Sequence, residues 1–590
     1  MESVHHINKH GDIQAPQALQ IPAASHLTNS VDRHIFRRHL TRWVVGDHIS
    51  FRQVESPLFR TLMTYCSNEL ESLLPQSCNT IRKWIRDDYQ RVQLKVRAAL
   101  DKSDGQIHLS FDLWTSPNSL ALLGIVAFWT DENKKLQKTL LGLRQLLGQH
   151  NGENMAIELL GIVRDFGIES RIGHFMVDNA GSNDTCIQEL AGHLNGVFEP
   201  SKRRLRCFGH ITNLVVKGLL FGKDAEAFEK DTAYAVEIND DLKLLKAWRK
   251  RGPVGKIHNI VTYIRRTPQR IASFRNIQQT PEDMDSLLVV SDNATRWNST
   301  YDMLKRALKL RTFLEIYIQR QIELDAKSTL KDDWLVADDW NQLEELMVLL
   351  EPFKTLTKSL EGDPYEGKRG SMWEVLPAMD MLLQKLEQAK ERLRDQADST
   401  FLRTAVNNAW LVMDKYYDLT DQSPAYTIAL VLNPRLKWHY IEKNWSEHPE
   451  WIKNARTDVE KIWKEYNNQP LSESAATAAS EEDVSMFDAY LLEFDDDVNF
   501  NSAFDEYRDY CLSARERADN LLDWWAHKSA RYPRLSKMAF DYLSIPAMSA
   551  AVERAFSSSK LMIPDARNRL SVESIEAAEC LRSWIDLGLY

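Results

Sequence analysis

Three carboxylates in this sequence sit where they could hold a metal ion. Asp112 interrupts the apolar run "QIHLSFDLWTS", Asp178 closes another in "HFMVDNAGSND", and Glu553 lies in "IPAMSAAVERAFSSSK". In the first run Ile107, Leu109, Phe111 and Leu113 alternate with His108, Ser110, Asp112 and Trp114. That is the period of a strand, with the carboxylate on the face opposite Phe111. The same alternation groups Asp178 with Met176 and His174. Two aspartates on neighbouring strands offer the hard oxygens that one or two divalent cations take. Two ions about 3.5–4 Å apart would activate water and stabilise the leaving oxygen in phosphodiester chemistry. Such a site needs a third acidic ligand. Glu553 lies about 100° round from Val552, at the rim of a helical stripe of Met548, Val552, Ala555 and Phe556. Singly, each has a plainer role: a strand-end aspartate caps the next turn or helix, and a helical glutamate faces solvent.

The elements that must carry these residues are legible in periodicity. Residues 1–30 are polar and expected to be disordered, and 31–103 read as an N-terminal helical domain. Residues 106–116, 120–130 and 136–147 read as strands, the first two joined by a turn at Pro117-Asn118. "NGENMAIELLGIVRDFG" reads as a helix, "RIGHFMVDN" as a fourth strand and "GSNDTCIQELAGHL" as another helix. "RRLRCF" is a short fifth strand leading into the helix "GHITNLVVKGLLFG". Three strands and then α/β alternation indicate a mixed sheet covered by helices over 104–221. From 222 to 470 the pattern is helical, 471–500 is an acidic Ala/Ser-rich linker, and 501–590 return to helix. The expected fold class is an α/β core interrupted by a large all-α insertion, mainly α overall.

Bulk properties narrow the class. The 590 residues carry a net charge of −10 and are 43% hydrophobic, so several cores can form and any nucleic-acid surface must be local. The six cysteines form no CxxC pair, which suits a reducing interior rather than a disulfide framework or zinc finger. No apolar run is long enough to span a membrane, and the N-terminus lacks a signal core, so the chain is expected to be soluble and intracellular. No P-loop or Rossmann GxGxxG points to a small-molecule substrate.

Taken in order, "FDLWTS", "VDNAGSND", "RCFGHITNLVV", "DNATRWNSTYDML" and the long block from "WWAHKSARYPRLSKMAFDYL" to "CLRSWI" resemble the hAT superfamily of DNA transposases over residues 31–590. The resemblance implies an RNase H-like catalytic core split by the helical insertion. It explains how Glu553, 375 residues beyond Asp178 (553 − 178), could rejoin the core. It makes Asp112, Asp178 and Glu553 a metal-binding acidic triad for Mg²⁺ or Mn²⁺. It places Cys207 and His210, a Cys-x-x-His motif, near the scissile strand. It gives Arg296 and Trp297 to the flanking DNA, the indole stacking on a flipped base. It implies a nuclear enzyme that nicks element ends, forms flank hairpins and joins the ends to target DNA. It also makes 501–590 a dimerisation region. Val572, Ile575, Ala578, Leu581 and Ile585 form an apolar stripe there, a pattern that otherwise belongs to a chain's own core.

DNA contact is expected from two basic clusters. One is Lys202, Arg203, Arg204 and Arg206. The other runs from Leu242 to Arg275 with no acidic residue: Lys243, Lys246, Arg249, Lys250, Arg251, Lys256, Arg265, Arg266, Arg270 and Arg275. The ordinary alternative is a solvated helix face. The sequence departs from the family in one respect. Many members begin with a zinc-binding BED finger, and His5, His6 and His10 have no cysteines beside them. The competing expectation is therefore a domesticated, non-enzymatic DNA-binding or dimerising regulator that keeps the fold.

Overall fold

The computed structural model describes residues 31–222, 240–278, 286–292, 297–325, 328–362, 369–394, 400–469, 505–563 and 570–590, with positions 228, 230, 232, 234 and 237. Segments 1–30 and 471–500, and Arg296, lie outside the described residues. The chain divides into two compact units after Tyr89, inside the helix Cys78–Lys102.

The first unit is helical. Asp32 opens its helix Arg33–Gly46 by accepting the backbone N–H groups of His34 and Ile35. Leu40, Val44, Val45, Val54, Ile81 and Ile85 form its core, and Trp43 stacks on Phe59 with ring centroids 5.5 Å apart.

The second unit holds a five-stranded sheet ordered β3-β2-β1-β4-β5. Its strands are β1 (Ile107–Thr115), β2 (Ala121–Thr130), β3 (Leu136–Gln145), β4 (Ile172–Val177) and β5 (Arg204–Arg206). The first three are antiparallel, while β4 and β5 run parallel to β1, which makes the sheet mixed as the sequence pattern requires. All ten residues of β2 are buried, because helices cover both faces. Of the helices around it, α1 (Gly152–Phe166) packs on the sheet and carries α2 (Gly181–His193), α3 (Phe208–Phe221) leads from β5 into the helical insertion, and α4 (Pro533–Leu543), α5 (Ala550–Met562) and α6 (Val572–Asp586) return to the sheet.

The faces sort by strand parity. Phe111 meets Phe175 edge-on, and Phe175 in turn packs on Phe198 on the side of α1 and α2. The opposite face carries His108, Ser110, Asp112 and Trp114. There His108 Nε2 lies 2.7 Å from the Asp541 carbonyl of α4, and Trp114 stacks on Phe556 of α5. One hydrophobic core runs from Met176, Leu205 and Cys207 through the helices of 241–467 and back to Met548. The RNase H-like sheet and the helical insertion are thus packed as one body, and the chain after 505 returns to the sheet through α4 and α5.

The stripe assigned to dimer contact lies largely inside the chain. Ile575, Ala578 and Leu581 are buried. α6 runs along β3, an outer strand whose second edge would otherwise present unpaired backbone groups. Ser583 Oγ accepts the Leu140 N–H at 2.9 Å, and Trp584 Nε1 donates to the Leu140 carbonyl at 2.9 Å. No helix among the described residues is long and apolar enough to cross a membrane.

Candidate functional site

Strand register brings Asp112 and Asp178 together. In the parallel β1–β4 pair Leu109 faces Phe175, an offset of 66 (175 − 109), and Ser110 Oγ donates to the Met176 carbonyl at 2.7 Å with the same offset. Carried to the end of β4, that offset sets Asp112 level with Asp178 (178 − 112 = 66). Both are half-buried, where the strands leave the core. Leu113 N–H donates to Asp112 Oδ1 at 2.8 Å. Asp178 Oδ1 accepts the Ala180 N–H at 2.9 Å and Asn183 Nδ2 at 2.6 Å, so Asp178 also performs the capping role expected of a strand-end aspartate.

Glu553 arrives on α5. Gly124 is the cross-strand partner of Asp112, and paired residues share a face. A Cβ on Gly124 would lie 2.8 Å from Phe556 Cε1 and 3.2 Å from Val552 Cγ1. The missing side chain therefore lets α5 lie directly on the strand beside Asp112. Val552 and Phe556 are buried, and Glu553, one position round, is half-buried. The rim position read from the sequence is thus the one it occupies.

The Cys-x-x-His segment ties α5 to β5. Cys207 N–H donates to the Val177 carbonyl at 2.9 Å, and Phe208 N–H to the Ala547 carbonyl at 3.1 Å. Ser549 N–H donates to Cys207 Sγ at 3.3 Å. Cys207 is fully buried, and burial, reinforced by Glu553, pushes its thiol pKa up, although the Ser549 bond opposes this. It is a structural thiol rather than a nucleophile or soft ligand. Burial pushes the His210 pKa below the ordinary imidazole value, while Asp178 and Glu553 are carboxylates close enough to pull it the other way.

The basic residues around β5 differ in use. Lys202 pairs with Glu199 at 2.5 Å, and Arg203 donates to Gln106 at 2.6 Å. Arg204 is buried, paired with Asp184 at 2.6 Å, and donates to the Asp178 carbonyl at 2.8 Å. Of these, Arg204 is held inside the chain and is not placed for a phosphate, whereas Lys202 stays exposed. Arg206 is different. It is half-buried and donates to Asn179 Oδ1 at 3.0 Å and Gln422 Oε1 at 3.5 Å, both neutral. Among the described residues no carboxylate lies within ion-pair distance of it.

The second basic cluster also divides between residues with partners inside the chain and residues left exposed. Arg249 pairs with Asp333 at 2.8 Å and Asp332 at 3.0 Å, Lys256 with Asp339 at 2.7 Å, and Arg266 with Asp241 at 2.6 Å. Arg265 donates to the Val289 carbonyl and Arg251 to that of Phe221. Lys243 lies over Tyr234 and Arg270 over Tyr263. Lys246, Lys250 and Arg275 stay exposed. The acids that neutralise Arg249 and Lys256 sit 83 or 84 residues further on, too far to be read as their partners.

Trp297 does not present a stacking face. It is 4% exposed, meets Tyr301 edge-on, and its N–H lies 3.4 Å from Asn213 Oδ1 of α3. Burial in the helical core takes its ring out of reach of a base, which corrects the expectation. The half-buried indole beside Asp112 is Trp114, two residues on and on the same face. Its signal was present in the alternation of "FDLWTS".

A mixed sheet in the order β3-β2-β1-β4-β5, split by a helical insertion, with Asp112 and Asp178 level where β1 and β4 end, defines an RNase H-like protein. Family models agree on the segments: an RNase-like domain of ZBED1 type matches residues 110–201, its helical domain 205–349, and the hAT family C-terminal dimerisation region 505–585. The chain belongs to the hAT transposase family. It is 25% identical over 561 residues to tpeD, named as a transcriptional regulator, of Talaromyces stipitatus, covering 91% of this chain and 60% of that protein. It is 25% identical over 568 residues to a protein named as an AC transposase of Zea mays, covering 91% and 64%. It is 22% identical over 555 residues to the zinc finger BED domain-containing protein DAYSLEEPER of Arabidopsis thaliana, covering 93% and 73%. The chain thus spans about three fifths of the length of the first two relatives.

The donor chemistry at the end of the sheet fits a hard divalent cation: three carboxylates and an imidazole, with the one nearby thiol already bonded. Among the described residues no three such groups are drawn closely enough to hold an ion.

Proposed function

We propose that this chain is a hAT-type DNA transposase that cleaves and transfers DNA strands with Mg²⁺ or Mn²⁺, acting in the nucleus as a homodimer on element ends and target DNA. The observation that carries the reading is that strand register sets Asp112 level with Asp178 at the end of the sheet, while Gly124, the cross-strand partner of Asp112, admits the helix that bears Glu553. Asp112, Asp178 and Glu553 would hold the cation. When bound, it supplies Lewis-acid stabilisation of the oxygens that gain charge at phosphorus. The protein groups position the substrate. Rigid β1 and β4 fix two carboxylates side by side, and Gly124 lets α5 present the third. Arg206, which has no carboxylate partner among the described residues and donates to Asn179 next to Asp178, takes the phosphate. Trp114 offers an indole edge or face on which a displaced base can rest. His210, kept neutral by burial, can hold the hydrogen bond of an attacking hydroxyl. Lys246, Lys250 and Arg275 extend contact to the backbone.

A second reading, a DNA-binding and dimerising regulator that keeps the fold without cutting, is favoured by the ungathered ligands. The test is incubation of the purified chain with a duplex bearing the inverted repeats that bound its gene, in Mg²⁺ or Mn²⁺. Nicks with 3′-hydroxyl ends are expected from the wild type and none from Asp112→Asn. Retained cleavage in Asp112→Asn would sink the triad assignment, and binding without cleavage by the wild type supports the regulator.

A further inference from the structure

A cavity of about 320 Å³ lies in the helical insertion, between the segment 420–427 and the helices Lys437–Asn444 and Pro449–Asn467. Its walls include Trp445, Trp451, Asp421 and Asp458. The two indoles stand at 87° to one another with centroids 6.0 Å apart. Trp445 is 7% exposed and fixed by its Nε1–H, which donates to Tyr417 Oη at 2.7 Å. Trp451 is 37% exposed, and His448 stacks on it at 4.0 Å and 11°. His448 does not line the cavity.

The charge of this cavity has one sign. No lysine or arginine lines it, and among the described residues neither Asp421 nor Asp458 has a cation within ion-pair distance. Lys202, a cation near enough to interact with Asp458, is itself bonded to Glu199. Desolvation, with Asp418 and Asp458 adding repulsion, holds the Asp421 carboxyl above its ordinary value. Two carboxylates with no ion-pair partner among the described residues thus stand beside two indoles set perpendicular to one another. A nucleic-acid phosphate would be repelled. An alkylammonium group is matched twice, by the carboxylates and by the negative faces of the indoles.

We infer that this cavity is an aromatic-acidic cage for a lysine side chain of a partner polypeptide, with the Nε-methylated form the tighter ligand. Methylation spreads the cation over apolar groups that fit between indoles, and it lowers the cost of leaving water. The cage would tether the protein to a basic, lysine-bearing tail. It is independent of the carboxylates at the end of β1 and β4, so it can hold in a protein that cuts DNA or in one that does not.

The experiment titrates the full chain with three probes: Nα-acetyl-trimethyllysine amide, Nα-acetyl-lysine amide, and the uncharged isostere of the first in which carbon replaces the quaternary nitrogen. Binding is read by indole fluorescence and by ligand-observed NMR. The expected order is trimethyllysine, then lysine, with the isostere at least about tenfold weaker than trimethyllysine. Trp451→Ala should cost about tenfold or more, and Asp421→Asn with Asp458→Asn about as much. Both sets lie at exposed positions, and an unchanged melting temperature separates lost binding from lost fold. Equal affinity for the isostere would overturn the inference, as would indifference to Trp451→Ala. No saturable binding of either cation through the millimolar range would also refute it, as would deoxynucleosides binding there in place of the ammonium probes.

Discussion

Gly124→Ala isolates how the third carboxylate is placed. A Cβ at residue 124 would meet Phe556 Cε1 at 2.8 Å, Phe556 Cζ at 3.0 Å and Val552 Cγ1 at 3.2 Å. Carbon atoms rest at about 3.5–4.0 Å, so α5 must withdraw by about 0.7 Å (3.5 − 2.8) or Phe556 must leave its place. Overpacking of this size costs about 1–3 kcal/mol. Removing a strand glycine returns about 0.5–1 kcal/mol, so the net loss should be roughly 0.5–2 kcal/mol. The protein stays folded, and its thermal midpoint should fall by only a few degrees. Cleavage should suffer far more, because Glu553 rides on the displaced helix. A misplacement approaching 1 Å can cost about 10²-fold, so a ten- to hundredfold drop in nicking rate is expected under saturating Mn²⁺. Adding Phe556→Leu removes the two closest ring atoms and should recover most of that rate while leaving stability low. The assays are thermal unfolding and single-turnover nicking on the same preparations. Wild-type nicking by Gly124→Ala would refute the claim that close approach of α5 to β2 positions Glu553.

Two other predictions use different groups. Arg206→Gln should weaken duplex binding and flatten its salt dependence by about one phosphate contact while leaving Mn²⁺ affinity unchanged, whereas Arg204→Gln, which breaks the buried pair with Asp184, should lower the thermal midpoint instead. Glu579, buried and bonded to Ser558 between α5 and α6, has its pKa pushed up to about 7 by desolvation. Its folded form holds a proton that the unfolded chain releases above about pH 4.5, so its contribution to stability is full below that value and is lost as pH rises through 7. Glu579→Gln should therefore be the more stable protein at pH 8, by on the order of 3 kcal/mol, with the advantage vanishing towards pH 5. Denaturant midpoints of both proteins across that range test it, and a pH-independent difference would contradict it.

The sheet was readable because its signals are local. Alternation marked β1, and unbroken apolar character marked β2, buried on both faces. The order of hAT-like segments supplied what periodicity could not: the expectation that Glu553 belongs with Asp112 and Asp178. Three features stayed out of reach because they depend on distant partners. The basic runs read as DNA contacts, yet Asp332, Asp333 and Asp339 had already claimed Arg249 and Lys256. Trp297 carried a functional expectation, but the packing of α3 against the helical insertion decides its burial. The stripe of α6 was visible, but not that Ser583 and Trp584 beside it would satisfy the open edge of β3. Gly124 drew no notice in a strand of large residues, although it faces Asp112 and admits α5.

Binding of Mn²⁺ to the full chain in the presence of duplex DNA, measured by calorimetry, tests the metal site most directly. Saturable binding is predicted, which Asp112→Asn, Asp178→Asn and Glu553→Gln should each weaken by about tenfold or more, while Asp184→Asn at the neighbouring Arg204 pair should not. Equal Mn²⁺ affinity in the wild type and all three carboxylate variants would contradict it.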